Sequence, residues 1–129
     1  MTNLDIVRST YEGASAEENG RALQQHLAPD ARWTEAAGFP YAGTYVGFAA
    51  IRTNVFDRLE AEWDHFRVEV EGYAEAADLV IAYGTYAGTY RATGKPMRAR
   101  VAHVWTLREG RVVALEQIVD SQPVVAALS

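Results

Sequence analysis

Glu35 is an acidic residue that could move a proton. It lies on a predicted strand, Ala31–Ala36, two residues after Trp33. Side chains alternate along a strand, so Trp33 and Glu35 share a face. If that face is apolar, desolvation raises the pKa of the Glu35 carboxyl and suits it to general acid or base work near neutral pH. The other interpretation of Glu35 is a strand-end carboxylate in water.

His103 is the second such residue. Met97–Arg108 and Val112–Asp120 are two strand-like runs that flank a Gly-containing turn, Glu109–Arg111. In the first run His103 shares a face with Val101 and Trp105, and a histidine on an apolar face requires a hydrogen-bond partner. Its pKa near neutrality would let it relay a proton or orient a carbonyl. The alternative is a structural histidine held by a buried partner such as a Tyr hydroxyl.

Gln117 and Asp120 end the last strand. They are three residues apart, so a regular strand places them on opposite faces. Both can reach a pocket only through a bulge or at the end of the strand. If only one of them enters, we expect it to be Asp120, paired with His103 across the hairpin. The alternative is that Asp120 is a turn acid ahead of Ser121.

Helices and strands must position these residues. Apolar residues at helical spacing predict a helix over residues 3–14, a short second helix through Leu23 and Leu27 that Pro29 ends, and a third helix over Gly47–Ala61. Alternation predicts strands around Phe66–Val70 and over Leu79–Arg91, ahead of the hairpin. Gly84 and Gly88 would allow the long strand to bend. The pattern assigns no structure to Pro123–Leu128.

This order of elements predicts a single α+β domain over residues 1–129. Three helices from the N-terminal half would pack on one face of a curved, mostly antiparallel sheet and form a cone-shaped barrel. Such a cone is a natural place for a small ligand. Large aromatic residues are more often core than ligand contacts. With that reservation, the candidates for the pocket wall are Trp33, Tyr41, Phe48, Trp63, Tyr86, Trp105 and Gln117.

Composition restricts the partners. The formal net charge of −5 argues against nucleic acid, which requires a basic face. No apolar run approaches membrane-spanning length, and the N-terminus lacks the pattern of a signal peptide, so we expect a cytoplasmic protein without a membrane partner. The chain has no cysteine, no dinucleotide or phosphate-binding glycine motif, and three histidines on separate elements. We therefore expect neither a metal nor a cofactor.

Several segments together resemble a known superfamily. They are Leu27–Trp33, Tyr41–Gly47, Trp63–Phe66, Thr89–Pro96 and Ala102–Arg111. In this order, after two N-terminal helices, they resemble the SnoaL-like, ketosteroid-isomerase-related branch of the nuclear transport factor 2-like superfamily. The resemblance covers nearly the whole chain and implies the cystatin-like α+β fold. It does not fix the reaction, because relatives include isomerases, polyketide cyclases, dehydratases, epoxide hydrolases and binding modules.

The resemblance also implies roles for residues. Glu35 matches the base of ketosteroid isomerases and Tyr11 their oxyanion-stabilising tyrosine, whereas Ala102 replaces their second oxyanion donor. His103 and Asp120 are similar to the His and strand acid of SnoaL-type cyclases. Limonene-type epoxide hydrolases need an Asp-Arg-Asp set, and the arginines of this region, Arg98 and Arg100, have no carboxylate between them.

Two classes of function follow. The first is a cofactor-free isomerase, cyclase or dehydratase that acts by proton transfer on a small apolar carbonyl compound, with Glu35, His103, Asp120 and Tyr11 as its catalytic candidates. The second is a non-catalytic binding or dimerisation module. We expect a homodimer, because strands 79–91 and 97–109 present a broad face that carries Thr85, Thr89, Arg98 and Arg100.

Overall fold

The predicted helices and strands occur in the predicted order, together with a short strand and a short C-terminal helix that the sequence did not predict. The structure is a computed structural model and describes residues 1–129. Its helices are α1 (Asn3–Ser9), α2 (Ala16–His26), α3 (Phe48–Ile51), α4 (Asp57–Glu62) and α5 (Ser121–Ala126), and a π-helical turn (Arg52–Phe56) joins α3 to α4. Its strands are β1 (Leu27–Glu35), β2 (Gly43–Val46), β3 (Trp63–Ala76), β4 (Leu79–Tyr90), β5 (Pro96–Arg108) and β6 (Arg111–Val119). None of the helices has the length and apolarity needed to traverse a lipid bilayer.

The six strands form one sheet in the order β2-β1-β6-β5-β4-β3. Strand β1 runs parallel to β6, and every other neighbouring pair is antiparallel. The α+β class and the mostly antiparallel sheet are therefore confirmed. The sheet stays open, with β2 and β3 as its edges, so the cone is not a closed barrel.

Helix α1 is shorter than predicted, and this places Tyr11 beyond it. Thr2 begins the helix with a capping box to Asp5. At the other end the hydroxyls of Ser9 and Thr10 donate to the carbonyl oxygens of Ile6 and Val7. Such side-chain bonds to nearby backbone compete with continued helix. Tyr11 consequently lies in the turn that leads to α2.

Strand β1 begins at Leu27, earlier than the predicted Ala31, so the assignment of Leu27 to the second helix is wrong: α2 ends at His26. The pairing of β1 with β6 shifts register between Leu27 and Arg32. Pro29 lies within that shift, where its missing N–H costs no ladder hydrogen bond. Helix α2 and β1 thus follow one another without a loop, and Glu35, at the end of β1, pairs with Gly43 of the edge strand β2.

Two elements carry no clear sequence signal. Strand β2 has four residues, of which three are exposed, so it lacks an alternating apolar pattern. Helix α5 is a single short helix that packs on β5 and buries Val124 completely. It closes the end of the sheet that the N-terminal helices leave uncovered.

The core consists of two clusters on the inner face of the sheet. The larger lies under the N-terminal helices and includes Trp33 and Trp105, whose rings meet edge to face at 5.7 Å. Phe56, from the π-helical turn, also meets Trp33 edge to face at 5.5 Å. The smaller cluster lies towards α5 and includes Trp63 and Tyr86. The site described next lies where the two clusters adjoin.

Candidate active site

Glu35 ends β1 as a carboxyl in the interior. Ala31, Trp33 and Glu35 are all buried, as strand alternation predicts, and Glu35 is only 6% exposed. Burial raises the pKa of the Glu35 carboxyl to about 7, because the charged form loses its hydration. The indole N–H of Trp33 opposes that rise, although it forms no hydrogen bond of normal geometry. Glu35 can therefore gain or lose a proton near neutral pH.

His103 lies in the middle of β5 and is hydrogen bonded through both ring nitrogens. Its Nδ1 is 2.6 Å from the Tyr11 hydroxyl, and its Nε2 is 2.6 Å from the Tyr86 hydroxyl. Burial lowers the pKa of His103 to about 4, so the ring is neutral at pH 7. The Tyr11 ring stacks near it, with centroids 5.9 Å apart and planes inclined by 11°.

Each tyrosine hydroxyl also accepts a hydrogen bond from a second side chain. Trp105 Nε1 donates to the Tyr11 oxygen at 2.9 Å, and Gln117 Nε2 donates to the Tyr86 oxygen at 2.8 Å. Gln117 is 2% exposed and faces His103 directly across the β5–β6 ladder. The result is a continuous polar chain through the otherwise apolar inner face.

The same chain leads to Glu35. Gln117 Oε1 accepts from the backbone N–H of Ala36 at 2.9 Å, which ties the end of β1 to the network. Burial, together with the negative charge of Glu35, raises the pKa of Tyr86 above its ordinary value. A carboxyl able to exchange a proton near pH 7 and a set of hydroxyl donors thus share one region.

A cleft of about 380 Å³ opens beside Tyr11, between α1 and β3. Its floor is apolar where Val68 and Val70 of β3 face it, and its rim is charged. At the rim Arg8 pairs with Glu12 at 2.9 Å, and the Tyr73 hydroxyl donates to Glu12 at 2.7 Å. Tyr11 lines this cleft and also reaches His103 in the interior, so it connects the two regions.

No group of three or more His, Cys, Asp or Glu side chains is arranged to hold a metal ion. The side chains described above can transfer protons and donate hydrogen bonds.

Comparison with known proteins identifies the family. The SnoaL-like domain family matches residues 7–115, most of the chain. The chain belongs to the SnoaL-like family. Its match spans all the site residues from Tyr11 to Trp105 and ends two residues before Gln117.

Solved structures support the same assignment for this SnoaL-like protein. An NTF2-like protein from Burkholderia thailandensis E264 shares 43% sequence identity, with 100% of this chain and 98% of that one covered and a TM-score of 0.94. An NTF2-like protein of unknown function from Burkholderia pseudomallei K96243 shares 24% identity, with 100% and 99% covered and a TM-score of 0.87, and at this identity it shows the fold alone. A protein described as a SnoaL-like polyketide cyclase from Jannaschia sp. CCS1 shares 20% identity, with 98% and 91% covered and a TM-score of 0.80; at this identity it shows the fold alone. Among curated proteins none matches this sequence.

The expected position of Asp120 in this SnoaL-like domain is wrong. Asp120 is exposed, precedes α5, and donates its backbone N–H to the carbonyl of Arg100. The prediction correctly placed Gln117 and Asp120 on different faces but chose the wrong one for the interior. Cross-strand register decides the matter, because His103 lies opposite Gln117 and Val101 lies opposite Val119.

The expected wall residues are mostly packed against one another. Trp33 and Trp105 belong to the larger core cluster, with Phe48 partly buried against it, and Tyr41 and Trp63 lie in the smaller one. Trp63 Nε1 donates to the Tyr41 hydroxyl at 3.1 Å, so these two satisfy each other. None of the seven expected residues lines the cleft beside Tyr11.

Sequence reasoning missed the cleft between α1 and β3. The alternation of Phe66, Val68 and Val70 marked an apolar face of β3, and these side chains stay only partly buried. An apolar strand face that no helix fully covers is the signal that could have located the cleft. Arg98 and Arg100 point to the other side of the sheet, where they pair with Glu69 and Glu71, so neither serves the interior site.

Proposed function

We propose that this SnoaL-like protein is a cofactor-free enzyme that moves a proton on a small, largely apolar carbonyl compound. The observation that carries the proposal is the buried Glu35 carboxyl, whose pKa is about 7, beside the Tyr86–His103–Tyr11 chain. Perturbed acids next to fixed hydrogen-bond donors are typical of catalytic sites. Isomerisation, cyclisation and dehydration through an enol-like intermediate all fit this arrangement.

Glu35 acts as the base in this mechanism. Its carboxylate takes a proton from the carbon next to the carbonyl, and the electrons of that C–H bond move into an enolate whose negative charge lies on oxygen. Tyr11 donates a hydrogen bond to that oxygen, which stabilises the charge as it develops. Protonated Glu35 then returns the proton to carbon or assists loss of a leaving group.

The test follows proton exchange at the carbon next to the carbonyl of enolisable aryl ketones in D₂O by NMR. We expect Glu35→Gln to slow exchange roughly 10²–10⁴-fold, the range of general base catalysis. The wild-type rate should rise with pH through about 7, because only the ionised carboxyl is a base. Glu116→Gln is the matched control, since Glu116 is exposed on β6 and its replacement should leave the rate unchanged. Equal rates in wild type and Glu35→Gln would refute the proposal.

A second candidate function is ligand binding without turnover. It is favoured by the cleft, which is lined by Tyr11 but not by Glu35. In that case an aryl ketone would bind and shift NMR signals of Tyr11 and Val68. Proton exchange at the carbon next to its carbonyl would then be no faster with wild type or Glu35→Gln than in buffer alone.

A further inference from the structure

The hydrogen-bond chain around His103 contains one more hydrogen than its acceptors can use. An indole N–H can only donate, so the Tyr11 oxygen accepts from Trp105. The Ala36 backbone N–H can only donate, so Gln117 must present its oxygen to Ala36 and its amide N–H to Tyr86. The Tyr11 oxygen and the Tyr86 oxygen therefore each accept one hydrogen bond whose direction is fixed.

His103 must then donate to one tyrosine and accept from the other. A neutral imidazole carries one N–H and one bare nitrogen, and here each nitrogen has a single tyrosine hydroxyl as its partner. The tyrosine that faces the bare nitrogen uses its hydrogen to donate to it. The tyrosine that faces the N–H accepts from it, and its own hydroxyl hydrogen is left over.

The position of the two tyrosines decides which hydrogen is left over. Tyr86 is 6% exposed, and its hydroxyl bonds to His103 and Gln117 and not to Glu35. A spare hydrogen there would be a buried donor without an acceptor, which is unfavourable. Burial also raises the pKa of Tyr11, but Tyr11 is more exposed than Tyr86 and lines the cleft, so a spare hydrogen on its hydroxyl lies closer to water or a ligand.

We infer that His103 is a neutral imidazole with its proton on Nδ1, and that it positions Tyr11 to donate its free hydroxyl hydrogen to an acceptor atom of a ligand in the cleft. The charged imidazolium is excluded on the same accounting, because it would donate to both tyrosines and leave two spare hydrogens. Burial of His103 acts in the same direction by lowering its pKa to about 4. The ligand class is then an apolar molecule with a hydrogen-bond acceptor such as a carbonyl oxygen, and not an ammonium cation, which has no acceptor.

The inference deepens the proposed function and rests on it only for the catalytic use of Tyr11. The main experiment needs no substrate: two-bond ¹H–¹⁵N correlation NMR of the histidine-labelled protein at pH 7. We expect His103 to show a protonated Nδ1 and a bare Nε2. A proton on Nε2, or on both nitrogens, would overturn the inference even if Glu35 proved to be the base.

One variant tests this accounting. In Tyr86→Phe a proton on Nε2 would be a buried N–H without an acceptor, so the proton should stay on Nδ1, where the Tyr11 oxygen accepts it. A move of the proton to Nε2 would overturn the accounting, and the wild-type spectrum decides the tautomer itself if the variant fails to fold.

A pair of probes of similar shape tests the ligand half. 2-Acetylnaphthalene offers a carbonyl oxygen and 2-isopropylnaphthalene offers none. We expect the ketone to bind roughly tenfold more tightly, as one added hydrogen bond allows, and Tyr11→Phe to abolish the difference. Equal affinity for the two probes, or binding of neither, would overturn the ligand half while leaving the tautomer result standing.

Discussion

At the scale of single residues, burial moves the pKa values of Glu35 and His103 in opposite directions. The pKa of Glu35 rises from 4.5 to about 7, and that of His103 falls from 6.5 to about 4. Both changes favour the uncharged form, which is the form that a largely apolar interior accepts. The site thus holds a neutral histidine at pH 7 and a carboxyl that titrates near neutral pH.

These shifts predict that each residue makes the free energy of unfolding depend on pH, and that the two contributions partly cancel. Folded Glu35 holds its proton more tightly than unfolded Glu35, so its contribution to the free energy of unfolding is lost as pH rises from about 4.5 to about 7. Folded His103 holds its proton less tightly, so its contribution grows as pH rises from about 4 to 6.5. In wild type the two slopes oppose one another.

Single substitutions separate the slopes. In Glu35→Gln the free energy of unfolding should rise between pH 4 and 6.5, and in His103→Gln it should fall between pH 4.5 and 7, each by at most about 3 kcal/mol. Urea unfolding at a series of pH values measures both, and Glu116→Gln shows the background of removing one exposed carboxylate. Parallel curves for wild type and Glu35→Gln would show that Glu35 is hydrated in the folded protein.

At the scale of elements, the approach of β3 to β4 depends on one glycine. Gly84 lies opposite Val70, just before a register shift in β3, and a Cβ there would overlap the carbonyl oxygen of Glu69. At this position the backbone of β3 therefore lies closer to β4 than a residue with a Cβ atom would allow. This close approach helps to bring Val68 and Val70 over the cleft beside Tyr11.

Alanine at two glycines should have opposite effects. Gly84→Ala should lower the free energy of unfolding by roughly 1–3 kcal/mol, because the backbone of β3 must move to make room. Gly20→Ala should raise it by roughly 0.5–1 kcal/mol, because Gly20 lies inside α2 with open space around it. Urea unfolding at pH 8 measures both changes. A neutral Gly84→Ala would mean that β3 and β4 separate at little cost.

At the scale of the whole molecule, the outer face of the open sheet has no covering element. Ile118, Ala102 and Tyr83 lie side by side across β6, β5 and β4, and Ile118 and Tyr83 are 55% and 43% exposed. Beside this row, Arg98 pairs with Glu69 and Arg100 pairs with Glu71. A face with both apolar residues and charges of both signs can match a copy of itself across a two-fold axis.

We therefore expect a homodimer through this outer face. Light scattering after size exclusion should give twice the monomer mass for wild type and the monomer mass for Ile118→Lys, which places a charge in the apolar row. Glu109→Lys is the control, since Glu109 lies in the exposed turn between β5 and β6 and should leave the mass unchanged. A wild-type monomer, or a dimer that survives Ile118→Lys, would exclude this face as the interface.

Local patterns were sufficient for much of the fold. Alternation placed Val101, Trp105 and Leu107 on the buried face of β5, and apolar spacing found α2 and the third helical segment. Such signals depend only on which face of an element is apolar. Strand β2 and α5 escaped, because β2 is largely exposed and α5 is only six residues long.

The sequence by itself determined that Glu35 shares a face with Trp33 and that His103 sits among apolar neighbours, since alternation along one strand fixes both. Only the tertiary structure decided what these two residues meet. The β5–β6 register brought Gln117 instead of Asp120 to His103, and the turn after α1 brought Tyr11 to the same ring. Register and helix ends depend on contacts between distant segments, and a one-residue shift in either would aim different side chains at the interior.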